Sequence, residues 1–521
     1  MAGLRILIFH GYLLRGTGSN VYNARLAGAL ARAGHEVHLL CQERRPEEVD
    51  VVDAAGDWDA GALRVRPLRA GRAGAGEGSV TVYRPDIGGV LPVYVADRYE
   101  GVQARTFAQL SDDEVADYVA RNVAAVREVA ALASPDLALA NHMVMGPLVL
   151  ARALGDTVPY AVKIHGSALE YTVKPQPERF MGAAREGLAR ARTILVGSRH
   201  TAESLWAAME DPSVRERTRL GPPGVDVEAF RRHDAGDLAG VAERLAALPP
   251  ATASADDAFA RDTAAAGRAL ATIDPARDRI VTYVGKLIVS KGVDLLIAAW
   301  PLVLAKVPDA KLAIVGFGGY RATLEDLLAA LARGDVDAAR AIAAAGRAPE
   351  GGPAKPLAHL TAFLDRVATD EGYLAAARAL PGRVVLTGRL EHDELPPLLG
   401  VAEAQVVPST FPEAFGMVAV EAAACGALPV VADQSGLGEV RTILAGVVPE
   451  AAAGWLGFPL DDDAVEAIAA RLIAWLTAPE ELRQATRDAL VDVARERFSW
   501  DGVAQTMVRA ALGDAADLPR P

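Results

Sequence analysis

Along this chain, short runs of Val, Ile and Leu alternate with longer Ala-, Leu- and Arg-rich stretches of helical period, the pattern of a parallel sheet covered on both faces. The alternation happens twice. In the first half the predicted strands are Arg5 to Phe9, Glu36 to Leu40, Leu137 to Asn141, Tyr160 to Ile164 and Thr193 to Gly197. In the second they are Ile280 to Val284, Leu312 to Val315, Val384 to Thr387, Ala404 to Val407 and Leu428 to Val431. Two doubly wound α/β domains follow, over 1–231 and 279–494. Between them, 232–278 is Ala- and Asp-rich with Pro249, Pro250 and Pro275, and reads as a helical, partly loose linker or insertion. Helical text at 334–381, turning at Gly351-Gly352-Pro353, reads as an appended surface hairpin with no chemistry of its own. The region Gly71 to Gly78 reads as a loop, Val80 to Arg98 has no place in the pattern, and 495–521 is a closing helix.

Length agrees with this division, because 521 residues exceed one compact core. A formal charge of −13 argues against a general nucleic-acid or anionic-membrane binder, so any phosphate must be held by a few placed cations. Only Cys41 and Cys425 occur, in apolar text, with neither a disulfide framework nor zinc-ligand spacing, which fits a reducing compartment. The first apolar run, Ile6 to Phe9, is too short for a signal peptide, and Leu137 to Ala151 falls short of the roughly 20 residues that span a bilayer. These features suit a cytoplasmic protein without a transmembrane segment. Peripheral membrane attachment and a homo-oligomer stay open.

The most informative stretch runs from Pro412 to Ala427, where seven residues separate Glu413 from Glu421. A strand, a loop with Pro412 and Gly416, and a helix from Met417 to Cys425 place Glu413 before the helix and Glu421 within it. The first-turn amides around Phe415, Gly416, Met417 and Val418 carry the positive end of the helix dipole and can hold a phosphate. Ala422, Ala423, Ala424 and Cys425 make the helix apolar nearly all round, so Glu421 requires a partner or a ligand. After the strand from Ile280, Lys286 and Lys291 bracket a strand-to-helix loop as a diphosphate clamp.

Further Gly-rich loops follow other predicted strands: Gly316-Phe317-Gly318-Gly319, Thr387-Gly388-Arg389 and Ser435-Gly436-Leu437-Gly438. The first is half of a dinucleotide fingerprint without its third-glycine spacing, and leaves close approach to a nucleotide open. In the first domain, Gly16-Thr17-Gly18 lies between strand and helix, and His165 ends a strand, where a lone histidine is as often structural as functional. His142 is a weaker candidate. Asp461-Asp462-Asp463 reads as a helix cap, and no metal is assigned to it.

In this order the pieces resemble the retaining glycosyltransferases of the GT-B fold, specifically family 4. The resemblance rests on Gly34-His35-Glu36-Val37, Gly224-Val225-Asp226 with Phe230, Gly285-Lys286-Leu287 with Lys291-Gly292, the Glu413 to Glu421 block, and Phe498-Ser499-Trp500. It implies two Rossmann-like domains facing a cleft, with helical insertions, and a last helix that crosses back onto the first domain. It implies that Glu413 binds the donor sugar's hydroxyls, that Phe415, Gly416, Met417 and Val418 hold sugar and phosphate oxygens, and that Glu421 takes the ribose hydroxyls. Lys291 and Lys286 then hold the diphosphate, with Lys286 where most relatives have Arg. Gly16 and Gly18 close over the phosphates, Gly316 and Arg389 line the donor site, and His165 lies near the reactive carbon.

The activity so implied is transfer of a sugar from a nucleotide-diphosphate sugar to a hydroxyl on a small-molecule, glycan or lipid-linked acceptor. It proceeds by front-face, leaving-group-assisted substitution without metal or other cofactor. Two rivals stand beside it: an inactive sugar-nucleotide-binding scaffold of the same fold, and a nicotinamide-dependent oxidoreductase, which wants a complete glycine fingerprint after the first strand.

Overall fold

The computed structural model describes residues 3–15, 18–59, 61–69, 78–95, 103–248 and 261–521, in two compact units: Met1–Gly224 with Ser499–Pro521, and Val225–Phe498. The first unit is built on nine strands: β1 (Arg5–Phe9), β2 (Glu36–Leu40), β3 (Ala54–Asp59), β4 (Ala62–Pro67), β5 (Ser79–Arg84), then, beyond a separate pair β6 (Val90–Val93) and β7 (Gln103–Thr106), β8 (Leu137–Asn141), β9 (Tyr160–Ile164), β10 (Thr193–Val196) and β11 (Thr218–Leu220). Their order is β11-β10-β9-β8-β1-β2-β5-β3-β4, parallel except for the β3–β4 hairpin at one edge. Successive residues of β1 point to opposite faces. Ile6 and Ile8 join a core with Leu26 of the Ser19–Arg32 helix and with Trp500 and Met507 of the Trp500–Leu512 helix, whereas Leu7 and Phe9 join Val126 and Leu148 on the other face.

The second unit has six parallel strands: β12 (Arg279–Val284), β13 (Ala310–Val315), β14 (Val384–Gly388), β15 (Ala404–Val407), β16 (Leu428–Ala432) and β17 (Gly457–Phe458), ordered β14-β13-β12-β15-β16-β17. Every strand named from the hydrophobic pattern is present. The pattern missed β5, which lies inside the first sheet between β2 and β3.

Three expectations about organisation change. The units meet in sequence at Gly224 and Val225 rather than at 231, and the described residues of 232–278 are helical, as expected, but belong to the second unit as an insertion rather than a linker. Helices Ala235–Ala246 and Thr263–Leu270 pack on each other, and Leu238, Val241, Leu245 and Leu270 are buried in the core of the second unit with Phe230 and Ile280; residues 249–260, with Pro249 and Pro250, lie outside the described residues. The 334–381 segment is not an appended hairpin either. Leu360, Phe363 and Leu364 are fully buried in the same core as Leu296 and Trp300 of the Val293–Leu304 helix, and the Tyr373 hydroxyl donates to Ala298 O at 2.9 Å. At the carboxyl end the Glu480–Phe498 helix stays with the second unit, and Ser499 caps a new helix that belongs to the first.

The burial of Phe363 sets a test of this placement. Phe363→Ala should lower stability by about 3–5 kcal/mol in chemical denaturation, the cost of a large cavity, whereas a surface hairpin would change it by about 0.5 kcal/mol or less.

Candidate active site

Chain order in the second sheet reverses at β12: β13 and β14 lie to one side of it, and β15 and β16 to the other. The loops after β12 and β15 therefore leave the carboxyl edge side by side, at the point where open α/β sheets bind ligands. A single tight turn, Val289–Lys291, ends at Gly292 with φ 65°. A Cβ at Gly292 would lie 2.0 Å from Pro408 O, so only glycine lets this loop approach the end of β15. Thr410 N then donates to Ser290 O at 3.0 Å.

This approach joins the predicted phosphate lysine to the predicted sugar carboxylate. Lys291 Nζ forms an ion pair with Glu413 Oε1, and Ser409 Oγ donates to the same oxygen at 2.6 Å. Glu413 N donates to Ser435 Oγ at 2.9 Å and Glu413 O accepts from Gly436 N at 3.0 Å, which fixes the loop against the one after β16. Three residues on, Gly416 at φ 97° begins the Met417–Ala424 helix, whose first turn has no side-chain cap. Among the described residues those amides meet no side-chain acceptor. The helix is anchored from below: buried Gln405 on β15 donates through Nε2 to Val418 O at 2.7 Å.

Glu421, 3% exposed, does have the partner its surroundings demanded. His392 Nε2 lies 2.8 Å from Glu421 Oε1, and the His392 ring packs on Phe230 at 4.9 Å. Sequence reasoning missed His392; the available signal was a histidine in the loop after β14, just beyond Arg389, on the same carboxyl edge. Arg389 itself lies over the Phe317 ring at 5.1 Å and pairs with Glu391 at 3.1 Å. Gly316 also has a packing role. Its Cβ would lie 1.9 Å from Gly285 O, and Leu287 N donates to Phe317 O at 2.7 Å, so this glycine is needed for two loops to zip together. Gly316 N also donates to Gly388 O at 3.0 Å, which brings the Lys286, Gly316 and Arg389 loops into one rim.

The 334–381 segment, expected to have no chemistry, reaches this rim. Glu350 accepts from Val289 N at 2.7 Å, inside the Lys286–Lys291 loop. Just below, Asp294 is 3% exposed with Oδ1 unpartnered among the described residues. Burial, reinforced by the nearby Glu350 charge, pushes its carboxyl up to about 7.

The remaining predicted residues belong to the first unit. His165 follows β9; its Nε2 lies 2.7 Å from Asn141 Oδ1, and its ring packs against Tyr22 and His142, each at 4.9 Å. Burial holds its imidazole well below the ordinary histidine range, helped by His142, Lys163 and His10. His142 is 2% exposed and packs on Tyr94 at 4.5 Å. Gly18 precedes the Ser19–Arg32 helix at φ 57°, and Gly16 lies outside the described residues. Asp463 does not cap the Ala464–Leu476 helix with its side chain. Instead Asp462 and Asp463 pair with His359 and Arg366 of the 334–381 segment, at 3.3 and 3.5 Å.

Residues 272–336 and 370–490 match the family described as glycosyl transferases group 1, and residues 17–224 match the glycosyl transferase 4-like domain. The chain is 28% identical over 259 residues to a D-inositol 3-phosphate glycosyltransferase of Segniliparus rotundus, covering 49% of this chain and 45% of that protein. It is 29% identical over 268 residues to a GDP-mannose-dependent alpha-(1-6)-phosphatidylinositol monomannoside mannosyltransferase of Mycolicibacterium smegmatis, covering 50% and 56%. The matches thus span about half the length of these relatives. Among solved structures, sucrose-phosphate synthase from Thermosynechococcus elongatus superposes with a TM-score of 0.54 at 19% identity, over 97% of this chain and 98% of that one. An Anabaena protein in complex with UDP and glucose gives 0.54 at 16% identity, over 97% and 98%.

Asp294 makes the site's scaffold pH-sensitive. From the ordinary 3.8 up to about 7 the unfolded chain ionises this carboxyl while the fold keeps its proton, so its contribution to stability falls as pH rises through that window. Asp294→Asn should remove that slope, leaving the variant more stable than the parent at pH 8 by on the order of 4 kcal/mol, with little difference below pH 4. Denaturant midpoints across the range give the check; parallel pH profiles would contradict it.

Proposed function

Because the chain belongs to the GT-B glycosyltransferases of the family 4 type, we propose that it moves a sugar from a nucleotide-diphosphate sugar to an acceptor hydroxyl, with retention of configuration. One observation carries the reading. At the β12/β15 switch point a lysine, a carboxylate and an uncapped helix start converge, and the same helix holds a buried second carboxylate.

In this reading the diphosphate takes the place Lys291 now gives to Glu413. Lys291 turns to the phosphate oxygens with Lys286, and the amides of Phe415, Gly416, Met417 and Val418 complete the cradle. Glu413, oriented by Ser409, then accepts from the sugar's hydroxyls. Glu421, whose Oε1 is held by His392, offers Oε2 to a ribose hydroxyl. As the glycosidic bond breaks, negative charge grows on the departing diphosphate, and preorganised cations and amides stabilise it more than they stabilise the ground state. The leaving phosphate assists removal of the acceptor's proton on the same face. The scheme needs no metal and no cofactor beyond the donor, because lysines and amides supply the positive charge. UDP, GDP and ADP donors all remain open, since the similar proteins include one crystallised with UDP, one named for GDP-mannose and one bound to ADP. The relatives named for inositol phosphate and phosphatidylinositol acceptors favour a small polar or lipid-linked hydroxyl.

Lys291→Ala and Glu421→Ala should each lower kcat/KM for transfer by about a hundredfold to a thousandfold while circular dichroism shows an unchanged fold. Near-parental turnover in either variant would refute the clamp. Donor binding without turnover by the parent, over a wide acceptor panel, would favour the inactive scaffold.

A further inference from the structure

Beneath His165 runs a chain of buried amides: Asn23, fully buried, and Asn141, 3% exposed, leading to His10, 2% exposed. Backbone carbonyls, which only accept, fix the direction of every bond in it. Ser19 O lies 2.8 Å from one end of the Asn23 amide, so that end is Nδ2, and the other, Oδ1, faces Asn141 at 2.8 Å. Asn141 must therefore present Nδ2 to Asn23, and the same nitrogen reaches Phe9 O at 3.3 Å. Its Oδ1 is left facing His165 Nε2 at 2.7 Å. An acceptor there requires a proton on Nε2. The far end agrees independently: Asn23 Nδ2 donates to His10 Nδ1 at 3.1 Å, leaving His10 Nε2 as the donor to Leu13 O, also at 3.1 Å.

We propose that Asn23 and Asn141 are positioning residues that lock His165 as its neutral Nε2–H tautomer, so that Nδ1 meets the substrate only as a hydrogen-bond acceptor. The inference rests on the reading of His165 as a residue of the sugar site. It defines that residue's chemistry. Nδ1 receives a hydrogen bond from a sugar hydroxyl and has no proton to give, so His165 is not the acid that protonates the leaving diphosphate. The surroundings keep the ring neutral: Tyr22 and His142 pack on it, Lys163 precedes it on β9 with its ammonium donating to Gly221 O, and His10 is held down to about 4 by burial. No carboxylate touches the ring among the described contacts.

The test reads the tautomer directly. In the full chain labelled with 15N-histidine, with His165 assigned by its loss in His165→Gln, long-range 1H–15N spectra from pH 6 to 8 should show the neutral Nε2–H form throughout. An Nδ1–H signature, or an imidazolium that titrates within that range, would overturn the proposal. Asn23→Ala leaves the Asn141 amide held only by its longer bond to Phe9 O, and should give mixed tautomers at His165 with kcat lowered by about tenfold to a hundredfold. A pure Nε2–H signal in Asn23→Ala would remove Asn23 from the lock. Should the parent show the expected tautomer while His165→Gln keeps full turnover, the lock stands and the placement of His165 in the sugar site fails.

Discussion

Parallel pairing of β12 with β15 is the contact on which the candidate site depends. Val281 sits beside Ala404 and Thr282 beside Gln405, so strands separated by more than a hundred residues of chain end at the same edge. From that register the loop carrying Lys291 and the loop carrying Glu413 are compelled to meet. Gly292 completes the approach because no other residue leaves room for Pro408 O. The helix dipole, the buried Glu421 and the Ser409 hydroxyl are then aimed by elements that already pack for reasons of core burial.

Lys291 and Glu413 are partly exposed and pair with each other, an arrangement that a polyanionic ligand can enter by exchange rather than by creating a new buried charge. Below them Asp294 keeps its proton, and in the first unit the histidines around His165 stay neutral through burial. Asp294 and the histidines are thus kept uncharged, buried Glu421 is given His392 as a partner, and the Lys291–Glu413 pair lies where water or ligand can solvate it.

Much of this was legible in the sequence. The strands could be named because fully buried parallel strands are short apolar runs, and Lys291, Glu413 and Glu421 could be singled out from their places in two strand–loop–helix units, while their separate roles came from the family resemblance alone. The failures share a cause: they concern what an element packs against. Leu360 and Phe363 look alike whether a hairpin is appended or folded into the core, and helix text near Pro275 looks alike whether loose or packed. His392 and Glu350 were missed because each acts on an element far from it in sequence, one on Glu421 in a helix and the other on Val289 in a loop. The packing of the glycine at 316 against another loop's carbonyl was likewise not visible in the sequence.

The central claim is that the loops after β12 and β15 form the seat of a sugar nucleotide. Hydrogen–deuterium exchange of the full chain, with and without saturating UDP-, GDP- or ADP-sugars, addresses it most directly. For the donor that binds, protection should concentrate at residues 285–292 and 409–421, with a second patch at 388–392 around Arg389 and His392. Protection absent from those loops, and found instead at other strand ends of the second unit, would contradict the account.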